Sequence, residues 1–169
     1  MVATTPKSRK QKGKAFQNRV RQDLIDRLGI DPGDILSTAM GQSGCDLYLS
    51  PAARERFPFG VECKHQEAIA LPAWWRQCTA NAEKEGLTPL LLIKRNREEP
   101  LAVLQWSDLL ALLSEVQNLH EAALDQAAAC GRASSDYRWL NLAEALTGPT
   151  DIPANLPDGS RRRRGTTST

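Results

Sequence analysis

The chain has 169 residues, a net charge of +2 and 41% apolar residues, enough for one domain with a real core plus tails. No run approaches the roughly 18–20 apolar residues that cross a bilayer, and no apolar stretch follows the basic N-terminus, so neither a membrane span nor a secretory signal is expected. Cys45, Cys63, Cys78 and Cys130 lie far apart and form no CxxC pair, which argues against a zinc ribbon or a disulfide framework and for reduced thiols in a cytoplasmic protein.

The charge is unevenly placed. Residues 1–21 carry seven Lys/Arg and no acid, and the tail adds Arg161, Arg162, Arg163 and Arg164. Those 11 of the 22 basic residues leave 11 in the middle against all 20 acids, a net of −9 there. Basic ends on an acidic body suit arms that hold a polyanion, although solvated tails would have the same composition.

In chain order, residues 1–11 read as a flexible basic arm. A helix is expected from Lys12, because Phe16, Val20, Leu24 and Leu28 recur every four residues with Ile25 beside them and Gly29 as a stop. Asp31-Pro32-Gly33-Asp34 reads as a turn. Ile35 to Thr38 gives a first strand, Gly41 to Gly44 a small flexible loop, and Cys45 to Leu49 a second strand that Pro51 ends. After a charged loop through Arg54, Glu55 and Arg56, a third strand runs from about Phe59 to Lys64.

Leu71-Pro72 opens the next helix, with Pro72 where its missing N–H does no harm. That helix continues through Trp75, Cys78 and Ala82 to a stop at Gly86. Leu90 to Ile93 is a continuous apolar run, as for a strand buried on both faces. Leu101 to Gln105 adds another strand, and Ser107 caps an amphipathic helix carrying Leu109, Leu112, Leu113, Val116 and Leu119. A short helix over Asp136 to Leu146 closes a domain spanning 12–146, and residues 147–169 read as a disordered Pro/Gly/Arg tail. The order α-β-β-β-α-β-β-α indicates an α/β fold around a mixed central sheet.

Three residues carry the chemistry. Side chains alternate along a strand, so Glu62 and Lys64 share one face about 6–7 Å apart, while Val61 and Cys63 turn to the other. If the second and third strands pair as a hairpin, Asp46 comes alongside Glu62. Two clustered carboxylates repel unless a cation sits between them. Hard oxygen ligands suit Mg2+, with Mn2+ as a substitute, and the Cys63 backbone carbonyl would add a ligand. Lys64 would orient the attacking water and offset developing negative charge. A Glu-x-Lys pair alone also fits a solvated strand face; the preceding Gly-Cys-Asp, the apolar strand and the basic helix set this one apart.

Gly44-Cys45-Asp46 followed by Val61-Glu62-Cys63-Lys64 resembles the G-x-D … (D/E)-x-K core of PD-(D/E)XK nucleases. With the Lys12-Gly13-Lys14-Ala15-Phe16-Gln17 helix and a helix bearing Trp74 and Gln77, the likeness is greatest to archaeal-type Holliday junction resolvases and related phage endonucleases. It covers residues 12–106. The resemblance implies an αβββαβ restriction-endonuclease-like core, Mg2+-dependent hydrolysis of branched or duplex DNA, and a homodimer. It assigns metal binding to Asp46 and Glu62, assistance to the water to Lys64, and supporting roles to Ser43 and Gln77. Resolvases carry a Glu in the first helix where this chain has Gln17, which donates a hydrogen bond but supplies no charge.

For DNA contacts the candidates are Lys10, Lys12, Lys14 and Arg19 near the N-terminus, and Lys94 and Arg95 after the apolar strand. His65 reads as a strand-end histidine, and His120 has no visible partner. Of the adjacent Trp74 and Trp75, one is expected in the core. Two rival functions stay open: a phage or restriction-type endonuclease without junction preference, and a catalytically weak DNA-binding protein on the same fold.

Overall fold

The computed structural model describes residues 6–39 and 43–129 of the chain. In order the elements are α1 (Pro6–Leu28), β1 (Ile35–Ser37), β2 (Leu47–Leu49), α2 (Pro51–Arg56), β3 (Phe59–His65), α3 (Leu71–Glu85), β4 (Thr88–Lys94), β5 (Leu101–Val103) and α4 (Trp106–Ala129). Everything that bears on the site lies in the first of two compact units, which ends at Ala111; α4 begins in that unit and continues into the second.

The fold is the expected mixed α/β arrangement. β3 and β4 run parallel, with Glu62 opposite Leu91, and β5 pairs antiparallel with β4 through Leu91 and Val103. Two parallel neighbours need a crossover, and α3 supplies it. β1 and β2 form a separate antiparallel pair, Ile35 opposite Leu49. The hydrogen bond from Asp46 N–H to the Val61 carbonyl, at 2.8 Å, ties that pair to β3.

Because β3 is covered on both sides, Gly60 to Cys63 are all buried. Its odd-numbered face joins Val61 and Cys63 to Phe16 and Val20 of α1 and to Ile35, Leu47 and Leu49. Each fully buried aliphatic side chain of this kind contributes roughly 1.5–3 kcal/mol. Its even-numbered face meets α3. A Cβ at Gly60 would lie 2.7 Å from the Ala82 Cβ and 2.9 Å from the Cys45 Sγ, so only glycine allows α3 to sit this close. Trp74, Cys78 and Ala82 form the buried stripe of α3, and the first two pack with Leu91 and Ile93.

Several expectations shift. The first helix begins at Pro6, so residues 6–11, expected in the arm, are helical. Residues 51–56, expected as a charged loop, form α2: Ser50 Oγ accepts from the Ala53 N–H, and Pro51 stands where no N–H is needed. Asp46 precedes β2 rather than lying within it, and α2 separates β2 from β3, so no β2–β3 hairpin forms. β4 starts at Thr88, β5 stops at Val103 and the last described helix starts at Trp106. Trp74 is the core tryptophan and Trp75 is half-buried. The helix expected over 136–146, the tail over 147–169 and Cys130 lie outside the described residues. Among the described residues, no helix is long and apolar enough to cross a membrane.

Candidate active site

Asp46 is held from three directions. Its Oδ2 accepts the Cys63 N–H at 2.6 Å, which sets the carboxylate against the middle of β3. The Thr38 hydroxyl lies 3.1 Å from both the Cys45 and the Asp46 carbonyl oxygens, and the Thr38 N–H donates to the Asp46 carbonyl at 3.0 Å. On the other side, Glu85 Oε1 accepts the Cys45 N–H at 3.1 Å, while Glu85 Oε2 pairs with Arg54 at 3.0 Å. Gly44, at φ +113°, makes the turn into this segment in a conformation that L side chains rarely adopt.

Glu62 is 4% exposed, and both its oxygens are engaged. Lys64 Nζ donates to Oε1 at 2.7 Å and Asn81 Nδ2 to Oε2 at 3.2 Å. Lys64 also donates to Gln77 Oε1 at 2.9 Å. Gln77 and Asn81 stand one turn apart on α3, so one helix face serves both ends of the Glu-x-Lys pair. The close packing at Gly60 brings that face within reach.

The Asp46 carboxyl is pushed up to about 6, chiefly by burial and then by the neighbouring Glu62 charge. The Cys63 N–H, Lys64 and a hydrogen bond from the Gln17 side chain oppose the rise. Gln17 is itself buried, and its Oε1 has no hydrogen-bond partner. Buried polar oxygens are ordinarily satisfied. The Gln17 side chain hydrogen-bonds Asp46, whose charge is opposed by that of Glu62, so a cation or a water reaching this oxygen would answer both needs. The donor set of Asp46, Glu62 and Gln17 Oε1 is all oxygen and fits a hard divalent ion. No cluster of three or more His, Cys, Asp or Glu occurs among the described residues, so the protein's further donors would be amide or backbone oxygens. Cys45 and Cys78 are buried free thiols pushed up to about 12 by desolvation, which leaves them inert.

Of the residues singled out from sequence, Asp46, Glu62, Lys64, Gln17 and Gln77 come together here, with the Cys63 backbone. Ser43 is exposed on the rim of a groove shared with Thr38, Tyr48 and Arg54. The basic candidates take varied partners. Lys14 caps the Ser37 and Thr38 carbonyls, Lys12 donates to Asn96, and Arg19 pairs with Asp23 and Glu99. Lys94 donates to the Glu98 carbonyl and Arg95 pairs with Glu67 and Glu98. Lys10 is exposed. His65 Nδ1 sits 3.4 Å from the Lys12 carbonyl, and its ring packs edge-on to Phe16.

Thr38, Asn81 and Glu85 were not singled out from sequence. Asn81 had a local signal: it follows Gln77 by four residues, on the flank of the buried stripe through Trp74, Cys78 and Ala82. Thr38 and Glu85 had none, because their partners arrive only through the tertiary fold.

This arrangement, a carboxylate leading into one strand and a Glu-x-Lys on the next, backed by two helices, defines a PD-(D/E)XK nuclease core. Over residues 8–129 the chain matches the family described as "Phage putative PDDEXK endonuclease", and it belongs to that family. It is similar to Protein D14 of Escherichia phage T5, 30% identical over an alignment of 118 residues that covers 59% of this chain and 72% of the relative. No solved structure matches.

Proposed function

We infer that the chain is a divalent-metal-dependent endodeoxyribonuclease, with Mg2+ as the ion and branched DNA as the preferred substrate. The observation that carries this reading is the pair of neighbouring acids: the Glu62 charge acts on Asp46, and the Gln17 side chain that hydrogen-bonds Asp46 has a buried oxygen without a partner. Asp46, Glu62 and Gln17 would hold the ion. The Cys63 carbonyl is a fourth candidate, since the N–H and carbonyl of one strand residue face the same edge and the Cys63 N–H already meets Asp46. A bound divalent ion supplies Lewis-acid stabilisation of negative charge on the phosphate.

The chain's own groups do the rest. An ammonium has three donors; Lys64 spends two on Glu62 and Gln77 and keeps one for the attacking water or a phosphate oxygen. Held between two fixed acceptors, it is oriented before substrate arrives, so little reorganisation is needed. Hydrolysis forms one P–O bond from water and breaks one ester P–O bond, and the Lys64 ammonium offsets the negative charge that builds on the phosphate.

Two finer points belong to the same reading. Branched DNA is favoured by the resemblance to junction resolvases. A homodimer is supported by α4, where the partly exposed Leu109, Leu112, Val116 and Leu119 repeat at alternating three- and four-residue steps, the spacing of a helix-pairing seam. The test is cleavage of a labelled four-way junction against a matched linear duplex, with and without Mg2+, by wild type and Asp46→Ala. Faster Mg2+-dependent cutting of the junction, lost in Asp46→Ala, is the expected result. Equal cutting of both substrates favours an endonuclease without branch preference. Binding without cutting in any divalent ion removes the enzyme assignment.

A further inference from the structure

Past the C-terminal end of β3 lies a cavity of about 260 Å3, lined by Arg9 and Lys12 of α1, by His65, Gln66 and Glu67, and by Asn96 beyond β4. It opens at the carboxyl ends of the parallel pair β3 and β4, where α/β sheets commonly receive ligands. His65 directly follows Lys64. Gln66, two residues beyond that lysine in extended chain, stands about 6–7 Å further on, the scale of one or two nucleotide steps at roughly 3.4 Å of rise each.

The lining is cationic in effect. Neither Arg9 nor Lys12 forms an ion pair among the described residues. Lys12 Nζ instead donates to the neutral Asn96 Oδ1 at 2.9 Å, which fixes its position and leaves its charge uncancelled. The one acid in the lining, Glu67, is already committed: Oε1 accepts the Asn96 N–H at 2.8 Å, and Oε2 lies 3.9 Å from Arg95. A guanidinium, an ammonium and the Gln66 side-chain amide together form a donor set matched to a phosphate's several oxygens.

We propose that this cavity holds one backbone phosphate of the DNA beside the phosphate that is cut, gripped jointly by Arg9 and Lys12; this rests on the nuclease reading above. A fixed grip one or two steps from the bond to be broken sets the register of the strand over Asp46, Glu62 and Lys64. It also gives the N-terminal part of α1 a role distinct from its packing.

The test uses full-length protein and a short fluorescein-labelled linear duplex in EDTA, with affinity measured by anisotropy across a salt series. The slope of log affinity against log salt counts phosphates neutralised, at about 0.9 per phosphate. Two cations on one phosphate count once. Arg9→Gln with Lys12→Gln is therefore expected to lower the slope by about 0.9 in total, with each single variant lowering it by less. A loss of about 1.8 split evenly between the singles would mean two separate phosphates and overturn the proposal. An unchanged slope in the double variant, with circular dichroism showing it folded, would also overturn it. Mg2+-dependent cleavage by the wild type is read separately. A protein that shows the slope loss and cuts nothing keeps the phosphate grip and loses the nuclease reading.

Discussion

Gly60 and Ala82 lie so close that a methyl group on the glycine would come within 2.7 Å of the alanine Cβ. That contact sets the distance between β3 and α3, and so the reach of Gln77 and Asn81 to Lys64 and Glu62. Gly60→Ala is expected to destabilise the fold by about 1–3 kcal/mol through overpacking, measured by urea unfolding. Cleavage should fall further than that loss explains, since α3 must back away from Glu62 and Lys64. Wild-type activity in a folded Gly60→Ala protein would show that the spacing does not matter.

Asn81 gives Glu62 its second hydrogen bond. Hydrogen bonds to charged groups contribute about 1.5–3 kcal/mol, so Asn81→Leu is expected to reduce kcat/KM by roughly 10- to 100-fold with the protein still folded. Restoring the amide as Asn81→Gln should recover part of the loss. Unchanged kinetics in Asn81→Leu would remove Asn81 from the site.

Asp46 links pH to stability. Its carboxyl is raised from 3.8 to about 6 by burial and by Glu62, so between those values the folded chain binds more protons than the unfolded one. Stability therefore falls as pH rises. The favourable contribution is complete below about pH 4 and is lost as pH passes through about 6, a change of roughly 1–3 kcal/mol. Without divalent ions, thermal unfolding between pH 4 and 8 should show this decline, and Asp46→Asn should flatten it. Adding Mg2+ at pH 8 should raise the wild-type Tm and leave that of Asp46→Asn unmoved. A wild-type Tm that rises steadily from pH 4 to 8 without metal would contradict this account of Asp46.

The α4 seam makes a separate claim. Val116→Glu places a charge among the apolar positions at 109, 112 and 119, and is expected to turn a dimer into a monomer in light scattering at micromolar concentration. A wild type that is monomeric throughout would remove the dimer and leave the candidate active site untouched.

Much of the site was legible because its signals are local. Strand alternation placed Glu62 and Lys64 on one face, and the Gly-Cys-Asp strand start marked Asp46. The four-residue recurrence through Phe16 and Val20 marked the buried side of α1, while Gln17 was marked by the family resemblance alone. What stayed hidden was created by tertiary contact. Arg54 reads as a loop charge, yet its guanidinium meets Glu85 and the Leu49 and Glu85 carbonyls. Lys14 reads as a DNA contact, yet its ammonium caps two carbonyls beside β1. Pro51 reads as the end of the second strand, yet with Ser50 as its cap it also opens α2. The hairpin expected between the second and third strands fails for that reason: α2 stands between them, and Asp46 reaches β3 by the Val61 and Cys63 hydrogen bonds instead.

All of this turns on whether two acids from adjoining segments share a cation. Anomalous diffraction from a crystal soaked in Mn2+ answers that directly. A peak within coordinating distance of both the Asp46 and Glu62 carboxylates, with Gln17 Oε1 turned to the ion or its water, is the expected result. Metal found only elsewhere, in protein that still cuts DNA, would contradict it.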